Sequence, residues 1–151
     1  MANLKTLIVR WQRLLSDGQT CPRCGTTESE IEKALAVLKQ ALNPLDIEVI
    51  LEKGELSVEE FQKDPLQSNS IWLNGRLLDD LIGGETGRSL CCDVCGTHEC
   101  RTVGLEEVVY ESIPSALIVK GGLLAAAQLL GPQAAVSEPE KSPAERHCCP
   151  K

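Results

Sequence analysis

Aromatic side chains are scarce in this sequence: one Phe, one Tyr and two Trp make up 3% of the chain. A core must therefore be filled by Leu, Ile, Val and Ala, and few rings remain on which bases could stack. Positive charge is short as well. Fifteen Lys and Arg face 22 Asp and Glu, for a net charge of −7. That sign opposes a phosphate backbone and an anionic lipid surface, so neither nucleic acid nor a membrane is expected as a partner. Long apolar runs are missing too. Leu7-Ile8-Val9 is cut by Arg10 and Arg13, and the apolar stretch from Ile113 to Leu130 carries Pro114, Lys120, Gly121, Gly122 and Gln128. Neither a signal peptide nor a membrane span is expected, and the expected compartment is the cytoplasm. No phosphate-binding loop, dinucleotide fingerprint or Ser/His/Asp signature occurs.

What the chain does have is cysteine, eight in 151 residues. A reducing compartment does not sustain a disulfide scaffold, so these thiols point to metal ligation, redox chemistry or both. The length fits one compact domain plus a tail. Leu7, Val9 and Trp11 share one face of a strand within Leu4 to Leu15, with a helix as the alternative. Thr27-Glu28-Ser29-Glu30 has the form of a capping box, and Ile31, Ala34, Leu35, Leu38 and Leu42 follow at helical spacing; the pattern predicts a helix from Thr27 to about Asn43-Pro44. Asp46 to Glu52 alternates as a half-buried strand. Ser57 to Glu60 forms a second capping box. Ile71 to Leu73 and Arg76 to Leu78 flank Asn74-Gly75, a hairpin turn. Asp79 to Ile82 reads as a helical turn, with Asp79-Asp80 as its solvated start rather than a catalytic pair, Val108 to Tyr110 as a strand, and Pro114 to Leu130 as a final helix. Trp11 and Trp72 read as core aromatics. Residues 131–151, with four prolines, read as a disordered tail ending in His147-Cys148-Cys149.

Three cysteine groups carry the chemistry. Cys21-Pro22-Arg23-Cys24 lies between a strand and a helix, where the helix dipole and Arg23 favour a thiolate and the second sulfur can resolve a mixed disulfide. With the helix starting at Thr27, that dipole acts on Cys21 from a distance. Cys21-Pro22-Arg23-Cys24-Gly25 and Cys92-Asp93-Val94-Cys95-Gly96 also share the form of a zinc knuckle, and two knuckles build a tetrahedral site for zinc or another thiophilic ion. Alternatively, Cys91, Cys92, Cys95 and Cys100 form a local cluster with His98 among them. Loop closure costs less there, so the metal site is expected mainly in the 91–100 segment, with Cys21 and Cys24 nearby. Cys148 and Cys149 make a vicinal pair suited to a soft ion such as Hg(II), Cu(I) or As(III), or to an unconstrained terminus.

Trp11, Thr20-Cys21-Pro22-Arg23-Cys24, Ser68-Asn69-Ser70-Ile71-Trp72-Leu73-Asn74-Gly75 and Cys100-Arg101-Thr102 together resemble an uncharacterised family of prokaryotic thioredoxin-like domains, over roughly residues 4–130. The resemblance implies a thioredoxin-like α/β fold and no established activity. True thioredoxins place a cis-proline just before the strand corresponding to Ile71–Leu73; this chain has Ser68-Asn69-Ser70. The expectation is a mixed sheet with helices on both faces over residues 1–130, a Cys-rich insertion at 91–100, and a tail. The expected function is thiol-based binding of a soft metal or metalloid, for sequestration or transfer. The alternatives are a thiol-disulfide oxidoreductase using Cys21 and Cys24 on a partner protein, and a structural zinc interaction module.

Overall fold

The computed structural model of the chain describes residues 4–15, 18, 22–90 and 99–131. Period-two alternation makes β1 (Lys5–Leu14) a strand along its whole length: Leu7, Val9 and Trp11 are fully buried on one face. β2 (Ile47–Leu56) runs parallel to it, with Lys5 opposite Ile47 and Leu14 opposite Leu56. It continues past the expected end at Glu52, because pairing with β1 satisfies its backbone groups even where its side chains are exposed. β3 (Ser70–Leu73) pairs antiparallel on the other side of β1, and β4 (Arg76–Leu77) closes the hairpin. The sheet order is β2-β1-β3-β4.

Asn74 and Gly75, at φ 49° and 81°, supply the two left-handed residues that a tight hairpin requires. Asn74 has a second task. Its Oδ1 accepts the Ile8 amide at 2.7 Å, which ties the turn to β1 beyond the last residue of β3.

Helix α1 (Pro22–Leu42) crosses between β1 and β2, and α4 (Ser115–Leu130) lies beside it. Their buried rows, Ile31, Ala34, Leu35 and Leu38 on α1 and Leu117, Ile118, Ala125 and Ala126 on α4, complete the core over the Leu7–Val9–Trp11 face. Gly122 lets the helices approach closely: a Cβ there would lie 2.6 Å from a Leu38 methyl. The opposite face is covered only in part. Leu14 and Leu56 are buried at its strand ends, and α2 (Val58–Lys63) buries Phe61. Farther along, Ile8, Arg10, Gln12, Glu52 and Trp72 line an open hollow of about 360 Å³. Cover on both faces, as the pattern predicts, is complete on one side and partial on the other.

The capping box at Ser57 forms as expected: Ser57 Oγ accepts from Glu60 N–H at 3.1 Å, and the Glu60 carboxylate accepts from Ser57 N–H at 2.8 Å. The bond from the Ser57 amide holds the Glu60 carboxyl below its ordinary value. The capping box expected at Thr27 does not form. α1 begins at Pro22, so the Glu30 amide lies well inside the helix. Thr27 Oγ1 instead accepts from Ile113 N–H at 3.1 Å, and Glu30 Oε2 accepts from Ser115 N–H at 2.7 Å. The two side chains cap α4 across space rather than α1 along the chain.

The segment after α3 (Leu78–Ile82) also differs from expectation. β5 (Glu85–Leu90), β6 (Glu99–Leu105) and β7 (Val108–Tyr110) form a second, antiparallel sheet in that order. Only β7 was legible in the pattern. Cys100, expected in a turn-rich insertion, lies in β6 opposite Ser89. Among the described residues no helix is long and apolar enough to cross a membrane.

Candidate functional site

The N-terminal turn of α1 lies at the C-terminal end of β1. Cys24, in that turn, is 2% exposed, and its Sγ stands 3.8 Å from Ser68 Oγ. The same hydroxyl accepts the Leu14 amide at 3.0 Å, so a single buried serine joins the end of β1, the approach to β3 and the cysteine. Ser68 occupies the stretch where the thioredoxin pattern has its proline, and the described peptide bonds are all trans. Asn69 follows in a left-handed conformation at φ 60°, 2% exposed. Its Oδ1 accepts the Trp11 indole N–H at 3.2 Å, which gives the one polar atom of that buried ring a partner. The strained backbone of Asn69 is held by these contacts beside the thiol.

Arg23 links this turn to the second sheet. Its side chain is 8% exposed; one terminal nitrogen donates to Leu90 O at 3.0 Å and approaches Glu111 Oε1 at 3.2 Å. Ser112 Oγ donates back to Arg23 O at 3.2 Å. Arg23 stands between Cys21 and Cys24, and Leu90 immediately precedes Cys91. The clamp therefore joins the chain at the first CxxC to the residue from which the second Cys-rich segment departs.

A second arginine docks the same sheet from the other end. Arg101, next to Cys100, is 6% exposed and donates to Leu66 O at 2.8 Å and to Asp79 Oδ2 at 2.6 Å. Thr86 Oγ1 donates to the same carboxylate oxygen. Asp79 is 1% exposed, whereas its neighbour Asp80 is exposed. The expectation of a solvated acidic pair thus holds for Asp80 and fails for Asp79, because the second sheet packs over one side of α3. Nothing in the sequence around Asp79 signalled this.

Cys24 and Cys100 both belong to the buried cluster of the core. The other expected site residues, Cys21, Cys91, Cys92, Cys95, Cys148 and Cys149, lie outside the described residues, as do His98, His147 and residues 132–151 of the tail. Among the described residues no group of three or more His, Cys, Asp or Glu side chains converges as a metal site would require.

Comparison with known proteins places this arrangement in a family. An uncharacterized protein of Archaeoglobus fulgidus is 46% identical over 112 residues, covering 74% of this chain and 82% of the archaeal one. No solved structure matches. The family described as "Domain of unknown function (DUF2703)" matches residues 7–122, which span both sheets, the Arg23 clamp and the Asp79–Arg101 pair, and the chain belongs to that family.

Proposed function

We propose that the protein binds a soft metal ion or metalloid through its thiols, for sequestration or transfer, on a thioredoxin-like domain. The observation that carries this reading is the Arg23–Leu90 clamp. It supports a site to which Cys21 and Cys24 contribute alongside Cys91, Cys92 and Cys95, since Arg23, between the first two in sequence, holds the carbonyl of Leu90, which immediately precedes Cys91. Thiolates suit Zn(II), Cd(II), Cu(I) or As(III) better than hard cations. The domain assignment is supported by the sheet order β2-β1-β3-β4, with β1 and β2 parallel, β3 antiparallel, and Cys24 in the first turn of the helix that follows β1.

The test is metal content by elemental analysis of anaerobically purified protein, with a thiol count, in the natural chain and in Cys21→Ser/Cys24→Ser. One tightly held ion in the natural chain, lost in the double variant with circular dichroism unchanged, is the expected result. Retention of the ion by the variant assigns it to Cys91, Cys92, Cys95 and Cys100. Absence of thiophilic metal from both, even after exposure to Zn(II) or Cd(II), sinks the reading. A second reading, a thiol-disulfide oxidoreductase using Cys21 and Cys24, is favoured by Ser68 Oγ beside Cys24 Sγ. A hydroxyl there can donate to a thiolate, although the substrate-binding proline of thioredoxins is missing.

A further inference from the structure

Helices α1 and α4 lie side by side but face solvent differently. α1 buries one row and turns Glu32, Lys33, Lys39 and Gln40 outward, as a surface helix does. α4 buries Leu117, Ile118, Gly121, Gly122, Ala125 and Ala126. A Cβ on Gly121 would meet Leu73 and Leu78, and one on Gly122 would meet Leu38, so β3 and α3 occupy one flank of this inner face and α1 the other. The outer face of α4 is apolar as well. Leu123, Leu124 and Leu130 are 44%, 42% and 42% exposed, Ala116 and Ala127 are exposed beside them, and Lys120 is the only charge on the helix. A helix that is apolar all round belongs inside a larger body or against a partner.

The outer residues have the spacing of a helix–helix seam. Ala116, Lys120, Leu123, Ala127 and Leu130 follow one another at intervals of four, three, four and three. Val37 of α1 extends the patch. It lies two turns after Glu30, whose carboxylate accepts the Ser115 amide, and it is 50% exposed on that same flank. The stripe is self-complementary. With a second α4 antiparallel to the first and the twofold axis at Leu123, Ala116 falls opposite Leu130 of the second copy, and Lys120 falls beside Ala127 of the second copy. In the first pair a small side chain meets a large one. In the other, the small side chain leaves room for the lysine stem to run out to solvent. α4 brings no acidic residue to the seam, although the chain carries 22.

We propose that the outer face of α4, with Val37 of α1, is the interface of a homodimer. The area suffices. A helix of 16 residues is about 24 Å long and two helices side by side are about 20 Å across, so the pair offers about 500 Å² per copy and about 1,000 Å² in all. That reaches the lower bound of specific interfaces and fits a dimer that dissociates in the micromolar range. Each copy carries a net charge of −7, so the copies repel at long range and cohesion comes from apolar burial. The inference is independent of metal binding, since α4 holds no cysteine.

The test is sedimentation equilibrium of the full chain with a phosphine reductant and EDTA present, so that neither an intermolecular disulfide nor a shared metal ion joins the copies. The average mass should rise from 16.4 kDa towards twice that value between about 1 µM and about 1 mM protein. Leu123→Glu should weaken dimerisation about tenfold or more with circular dichroism unchanged, because it sets two carboxylates at the twofold axis. Ile50→Glu, on the open face of the four-stranded sheet, should leave the dimer unaltered. Raising sodium chloride from about 0.05 M to about 0.5 M should keep or tighten it, because salt screens the repulsion between like-charged copies. A chain that stays monomeric throughout, as it would with its own C-terminal residues over the seam, overturns the interface. So does a dimer that salt dissolves, one that Leu123→Glu leaves intact, or one that Ile50→Glu breaks. Should Leu123→Glu fail to fold, Ala127→Glu decides: about tenfold weaker association supports the seam, and unchanged association removes it.

Discussion

The two sheets of this molecule are held in place by different forces. The four-stranded sheet is fastened by apolar burial: Leu7, Val9, Trp11, Ile47, Val49, Ile71 and Leu73 all face α1 and α4 or the core between them. The three-stranded sheet contributes Cys100 and Val103 to that core, with Leu105 and Tyr110 partly buried against it. What ties it down is polar and directional. Arg23 holds Leu90 O and Glu111, Arg101 holds Leu66 O and Asp79, and Asn69 Nδ2 reaches Glu111 O at 3.4 Å. Burial is non-directional and gives cohesion; charged hydrogen bonds give register. The body is therefore built to be stable, and the second sheet to be placed.

The sharpest way to break the comparison is to remove the centre of the apolar body. Trp11→Ala should lower global stability by about 3–5 kcal/mol, through lost burial and a cavity that close-packed neighbours cannot fill. Urea unfolding followed by circular dichroism measures it, and both sheets should unfold in one transition. A smaller loss, under about 1 kcal/mol, would mean that the core does not depend on this ring.

The Asp79–Arg101 pair is tested by Asp79→Asn, which keeps the shape and removes the charge facing Arg101. A hydrogen bond to a charged group contributes about 1.5–3 kcal/mol, so the loss should be of that order. Its location matters more than its size. Hydrogen exchange should speed up in β5 and β6 while amides of β1 and α1 keep their protection. Equal loss of protection in β1 and α1 would make the two sheets one cooperative unit and erase the distinction.

The smallest expected effect concerns the polar cap on α4, which belongs to the body. Glu30 has its carboxyl lowered from the ordinary 4.5 to about 2, first by the hydrogen bond from Lys33 and then by the Ser115 amide. A depressed carboxyl contributes stability that is present above about pH 4.5 and lost as pH falls through about 2. Glu30→Gln should therefore flatten the acid limb of the stability profile between those values and leave the second sheet unaffected. If the acid limb of the variant overlays that of the natural chain, the contact is not formed in solution.

Much of the body was decided by the sequence alone. The alternation of Leu7, Val9 and Trp11 favoured a strand with one covered face over a helix, and Asn74-Gly75 could supply two left-handed residues in a row. Ser57 and Glu60 close their capping box because both partners and both amides lie within four residues. Patterns of that kind are complete in themselves, since every group they need is local. The Thr27–Glu30 pattern was identical in form and meant something else. A hydroxyl and a carboxylate one turn apart are shown by the sequence, but which amides they meet depends on what packs beside them. With α1 extended to Pro22, the donors left over belonged to Ile113 and Ser115. Asp79 and Asp80 repeat the lesson: adjacent residues of one type, separated in burial only by the side on which the second sheet docks. The pairing of Arg101 with Asp79 across 22 residues, the reach of Arg23 to Leu90 across 67, and the burial of Arg13 against Trp11 were all decided by tertiary structure. Charged side chains read as solvent-facing until a second layer covers them, and no local period records where that layer lies.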